Sequence, residues 1–150
     1  MTNGREVEIL LVEDNPGDVH LTREALKRGK LACHLNVVSD GQAAIDLLRR
    51  QGEYAGAPVP DLILLDLNLP GKDGREVLAE IKNHAALKHV PVVVLTSSQA
   101  EEDIIRSYQL QANCYIAKPI TFKGLVKVVQ AIESFWFSIV TLPRRDNLIR

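Results

Sequence analysis

Five short apolar runs recur along the chain: Glu8 to Glu13 (EILLVE), His34 to Ser39 (HLNVVS), Leu62 to Asp66 (LILLD), Val92 to Thr96 (VVVLT) and Cys114 to Ala117 (CYIA). Most are apolar throughout rather than alternating, which is the pattern of parallel strands covered by helices on both faces. The stretches between them have helical period. Asn15 before Pro16 reads as an N-cap with proline at the first helical position, and Gly29 closes that helix. Ala44, Leu47 and Leu48 give the second helix a buried stripe, and Val77, Leu78 and Ile81 give one to the third. Ser98 and Glu101 form a capping box for the fourth. Thr121 caps a fifth, whose inward positions are Leu125, Val128, Val129, Ile132 and Trp136. Five strand-helix pairs predict one open α/β fold with a doubly wound parallel sheet, because right-handed crossovers place helices on both faces.

With 150 residues, 46% of them apolar, the chain can bury one full core. We find no internal repeat and no low-complexity segment; Gln51 to Pro60 (QGEYAGAPVP) reads as a flexible loop. The expected division is a domain over 1–142 with its core over 8–137, a tail over 143–150, and no output domain. A formal net charge of -1 offers no global attraction to nucleic acid or an anionic membrane. No apolar stretch approaches the roughly 18 residues that span a bilayer, and MTNGREVE lacks the features of a secretory signal, so a cytoplasmic protein is expected. Cys33 and Cys114, without metal-binding spacing, read as reduced thiols.

In a sheet of this kind the ligand site lies beyond the carboxyl ends of the strands. The first run ends in Glu13-Asp14, the third in Asp66, the fourth in Thr96-Ser97, and the fifth leads to Lys118-Pro119. Three carboxylates gathered at one place repel one another unless a cation sits among them. Oxygen donors without His or Cys select magnesium or a similar hard ion. The lysine and the hydroxyl then call for an anion. A phosphoryl group on Asp66 supplies one, with its oxygens met by the metal, Lys118 and Thr96.

Taken together, Glu13-Asp14, Asp66-Leu67-Asn68-Leu69-Pro70 with Asp73-Gly74, Thr96-Ser97 and Lys118-Pro119 resemble the response-regulator receiver family of two-component signalling. "DLILLDLNLPGKDGREVLAEIK", "VPVVVLTSS", "ANCYIAKP" and "FWFSIVTLP" are similar to the single-domain regulators of cyanobacterial phytochromes. The resemblance implies a flavodoxin-like receiver fold, strand order 2-1-3-4-5, with an extended last helix. It implies that Asp66 accepts a phosphoryl group from a sensor histidine kinase of phytochrome type. Mg2+ would be held by Glu13, Asp14, Asp66 and the Asn68 backbone carbonyl. Thr96, Ser97, Tyr115 and Pro119 would carry the switch to the surface of the fourth helix, fifth strand and fifth helix, and thence to a downstream protein. Lys118-Pro119 would be a cis peptide. One departure is Gln111, where many receivers place glycine; Asn113 can take over the helix end.

Two other classes share this fold. A magnesium-dependent aspartyl-phosphate hydrolase needs a second aspartate two residues after the first, where this chain has Asn68. A nucleotide or flavin carrier needs a glycine-rich phosphate loop, where this chain has the acids of "VEDNPGD". The expectation is a switch rather than an enzyme.

The fifth helix also suggests a homodimer. Its inward stripe falls within about 60° of one direction, while Val126 and Phe137 point roughly 100 to 120° away and Phe135 about 80° to the other side. Ile139, Val140 and Leu142 prolong the apolar character. Such a patch marks an interface, unless residues 138–150 fold back over it.

Overall fold

A computed structural model of the chain describes residues 6–29, 32–69, 73–96, 114–118, 121–128 and 130–131, with positions 96, 114, 115 and 117 described by backbone alone. The strands are β1 (Val7–Val12), β2 (Cys33–Val38), β3 (Leu62–Asp66), β4 (Val92–Thr96) and β5 (Cys114–Ala117). The helices are α1 (Pro16–Lys27), α2 (Gly41–Arg49) and α3 (Gly74–Asn83), with helix again over 122–128 and 130–131. The strands form one parallel sheet in the order β2-β1-β3-β4-β5. Among the described residues, no helix is long and apolar enough to cross a membrane.

The local rules that start each helix can be seen in its hydrogen bonds. Asn15 caps α1 by accepting from the Asp18 N–H at 3.0 Å, with Pro16 at the first helical position. Asp40 caps α2 through the Ala43 N–H. Asp73 and Glu76 form a reciprocal capping box at α3. Thr121 Oγ1 accepts from the Gly124 N–H at 3.0 Å, as a cap for the last described helix. The α2 helix ends on Arg50 in the left-handed region at φ 59°, without a glycine.

Two of the expected spans are corrected. The first two strands each begin and end one residue earlier than EILLVE and HLNVVS, so Glu13 is the first residue past β1 and Ser39 the first past β2. The cause is the pairing register, in which Val7 lies opposite Cys33 and Val12 opposite Val38. Glu13 keeps one backbone bond, to the Val38 carbonyl, while its side chain enters the site. The expected loop at 51–60 contains a 3-10 turn, Gly52–Tyr54.

The sheet divides the apolar residues into two cores. On one face Leu10, Val12, Ile63, Leu65 and Val94 pack with Ala44, Leu47 and Leu48 of α2 and Val77, Leu78 and Ile81 of α3. On the other, Ile9, Leu11, Leu64 and Leu95 pack with Ala25 of α1 and with Leu125. The strands of the middle of the sheet are thus covered on both sides, as their unbroken apolar runs require. Cys33 and Cys114 stand on opposite edge strands, four strand spacings or about 19 Å apart, far beyond the roughly 7 Å reach of a disulfide. The fourth helix with Ser98 and Glu101, Gln111, Asn113, Val129, Ile132 and Trp136 lie outside the described residues.

Candidate functional site

The parallel order brings the carboxyl ends of β1 and β3 side by side, and that adjacency builds the site. Asp66 closes β3 and is 1% exposed; Glu13, just past β1, is also 1% exposed. The Asn68 N–H donates to Asp66 Oδ1 at 2.9 Å, and the Asn15 N–H donates to Glu13 Oε2 at 3.2 Å. Each carboxylate is therefore oriented by the loop that leaves its own strand. Asp14 is exposed at the mouth, and one oxygen each from Glu13, Asp14 and Asp66 lie within 4.8 Å of one another.

Lys118 reaches this cluster from the end of β5. Its Nζ lies 3.1 Å from Asp66 Oδ2, 3.3 Å from Glu13 Oε2 and 3.2 Å from Glu13 Oε1. It also lies 3.2 Å from Asp18 Oδ2, on the first turn of α1. Burial alone would lower the proton affinity of the ammonium. Its hydrogen bond to Asp66 and the charges of Glu13 and Asp66 outweigh burial and raise it. Glu13 is raised as well: burial first, then the hydrogen bond and charge of Asp66, push its pKa from 4.5 to about 7, against the opposing pull of Lys118.

The donor set fits a hard divalent cation. Among the described residues, one ammonium pairs with Glu13, Asp18 and Asp66, and Asp14 adds a fourth carboxylate at the mouth, which leaves the site negative. Glu13 Oε1 is buried and accepts no hydrogen bond, although the ammonium is within ion-pair distance. A buried oxygen in that condition has capacity for a cation, and the all-oxygen donors favour a hard one.

Of the residues expected from sequence, Glu13, Asp14, Asp66 and Lys118 come together. Asn68 contributes its N–H to Asp66. Thr96 ends β4, whose Leu95 is in register with Asp66, and Tyr115 is in register with Val94; both are placed by backbone. Val126 is half-buried and packs on the core that Leu125 joins. Ser97, Pro119 with its peptide bond, Phe135, Phe137, Ile139, Val140 and Leu142 lie outside the described residues. His20 and His89 are exposed and His84 is half-buried, and His34 pairs with Glu8 at 2.9 Å on the sheet edge.

The sequence reading missed Asp18, the third carboxylate within ion-pair distance of Lys118. Its signal was present: a helix capped by Asn15 at the end of β1 places its third residue, Asp18, over the same strand ends. Also missed was Asp61, which is 3% exposed and accepts the Glu8 N–H at 2.9 Å while donating its own N–H to the Glu8 carbonyl.

Comparison with known proteins follows the same lines. The family model described as response regulator receiver domain matches residues 9–130. Response regulator Rcp1 of Synechocystis is 56% identical over 135 residues, covering 90% of this chain and 92% of its own. The structure of the phosphorylated cyanobacterial phytochrome response regulator RcpA superposes with a TM-score of 0.78 at 52% identity, covering 89% of this chain and 96% of RcpA. The Mn2+-bound form of Rcp1 gives 0.77 at 55% identity, covering 91% and 99%.

Proposed function

The chain belongs to the response regulator receiver family, and from that premise we propose that Asp66 is the residue that takes the phosphoryl group. Reception of a phosphoryl group in two-component signalling is the activity of the family, and this chain shares it with the phytochrome response regulators to which it is similar. The observation that carries the assignment is the position of Asp66: at a strand end, 3.1 Å from the Lys118 ammonium and within reach of Glu13 and Asp14.

In the proposed transfer a carboxylate oxygen of Asp66 attacks the phosphorus of a phosphohistidine. The O–P bond forms as the N–P bond breaks, and the imidazole leaves with the electron pair of that bond. Glu13, Asp14, Asp66 and the Asn68 backbone carbonyl would hold Mg2+, which when bound supplies positive charge to the phosphoryl oxygens. Lys118 meets one of those oxygens with its ammonium, and the Thr96 hydroxyl donates to another. The Asn68 N–H holds Asp66 Oδ1 and so fixes the plane of the attacking carboxylate. Thr96, Ser97, Tyr115 and Pro119 then transmit the new charge to the outer surface.

The phosphodonor is a sensor histidine kinase of phytochrome type, a reading supported by the similarity to the cyanobacterial phytochrome response regulator RcpA. The protein works in the cytoplasm, as a homodimer through Val126, Phe135, Phe137, Ile139 and Val140, and passes its state to a downstream protein. Incubation with magnesium and a small phosphodonor, followed by intact-mass measurement, tests the central assignment. Wild type gains one phosphoryl mass and Asp66→Asn gains none; equal gain in both removes Asp66 from the role.

A further inference from the structure

The three carboxylates around Lys118 are not equivalent. Glu13 and Asp66 belong to the cluster that can hold a cation, whereas Asp18 is not among the oxygens gathered within 4.8 Å. A divalent cation on Glu13 and Asp66 takes up the charge that now attracts the lysine, and it repels the ammonium as well. Lys118 then needs an anion outside the metal set if it is to stay beside Asp66. Asp18 Oδ2 is already 3.2 Å away, and both side chains are 18% exposed, so their attraction is only partly screened by solvent.

The backbone of Asp18 is held on both sides. Its N–H donates to Asn15 Oδ1 at 3.0 Å and its carbonyl accepts from Thr22 Oγ1 at 2.8 Å. The carboxylate is thus carried by the first turn of α1, whereas the metal oxygens of Glu13 and Asp66 project from the ends of β1 and β3. Building on the proposed role of Asp66, we infer that Asp18 is a positioning residue, an anchor that keeps the Lys118 ammonium at the phosphoacceptor while a divalent cation occupies Glu13 and Asp66. It touches neither the phosphoryl group nor the metal and acts only through the lysine.

The test reads lysine position directly. With Mn2+ as probe, the paramagnetic relaxation of the 13Cε signal of Lys118, assigned by its loss in Lys118→Met, reports its distance from the metal in wild type, Asp18→Asn and Asp18→Glu. The anchor predicts that Asp18→Asn changes this enhancement by about threefold, the population ratio that a partly exposed ion pair supports, and that Asp18→Glu restores the wild-type value. An unchanged enhancement in Asp18→Asn, at equal metal saturation and equal melting temperature, overturns the inference. A second arm measures phosphoryl incorporation at saturating Mg2+. Asp18→Asn should slow it about threefold in the wild-type background and not at all in Lys118→Met. Equal slowing in both backgrounds means that Asp18 acts without the lysine and also overturns the inference. Failure of wild type to take a phosphoryl group at all would count against Asp66 as acceptor, while the relaxation measurement still decides the anchor.

Discussion

Gly74 opens α3 directly against the carbonyl of Asp66: a Cβ at position 74 would lie 2.5 Å from Asp66 O and 2.6 Å from Leu67 Cα. Backbone cannot yield as a flexible side chain can, so any larger residue must push α3 away from the end of β3. The Gly74 N–H bond to the Leu67 carbonyl, 3.3 Å long, would open with it. Gly74→Ala should cost about 1–3 kcal/mol of stability by overpacking. It should also reduce phosphoryl incorporation at Asp66 more than an equally destabilising core change such as Ile81→Val. Urea unfolding together with intact-mass kinetics checks both.

The raised pKa of Glu13 sets a pH dependence. Its folded pKa of about 7 exceeds the ordinary 4.5, so the folded chain holds the proton more tightly than the unfolded one. Stability in the absence of metal should therefore fall as pH rises between those values, by an amount on the order of 3 kcal/mol. Glu13→Gln should flatten this slope, and saturating Mg2+ should remove it by favouring the ionised carboxylate. Unfolding free energies measured in chelator and in Mg2+ across pH 4.5 to 7 provide the check.

Asp14→Ala should weaken magnesium binding by at least about tenfold, since even outer-shell partners of metal ligands carry effects of that size. Asp14 is exposed and makes no part of either core, so the melting temperature without metal should hold. Calorimetric titration with Mg2+ separates the two effects; binding as tight as wild type would remove Asp14 from the ligand set.

Asp61→Ala should destabilise the chain by about 1–3 kcal/mol, because it leaves the Glu8 N–H without its carboxylate acceptor at the start of the sheet. Asp61→Asn retains an acceptor oxygen and should recover much of that loss. Chemical denaturation of the pair gives the comparison, with phosphoryl incorporation unchanged in both.

The proposed dimer predicts a mass of two chains in light scattering at micromolar concentration, and a monomer mass when Phe135 and Phe137 are both replaced by serine. A wild-type monomer in unmodified and phosphorylated forms alike would leave the patch to the tail over 138–150.

The strands were legible because burial on both faces leaves little room for polar residues, so LILLD, VVVLT and CYIA match β3, β4 and β5 residue for residue. The edge strand was harder. In β2 His34 and Asn36 alternate with apolar neighbours, and the start is set by pairing of Cys33 with Val7 rather than by hydrophobicity. The site was legible wherever chemistry coincided with a strand end, as at Asp66, Glu13 and Lys118. Asp18 was not, because a helix N-terminus favours an acid through its dipole whether or not a lysine waits opposite. Asp61 was hidden for a similar reason: an aspartate after proline reads as a turn, and only the three-dimensional pairing of Asp61 with Glu8 reveals a buried clasp.

The sheet separates the two cores so completely that adjacent strand residues, such as Leu10 and Leu11, answer to different helices. Mutational energies should divide along the same plane. Leu10→Ala and Ile63→Ala, cross-strand partners in one core, share a cavity and should combine non-additively. Leu78→Ala on α3 and Leu125→Ala beyond the opposite face have no common neighbour cluster, and their effects should sum to within about 0.5 kcal/mol. A receiver arranged in this way can accumulate substitutions beneath α2 and α3 without altering the energetic background against which α1 and the last helix drift.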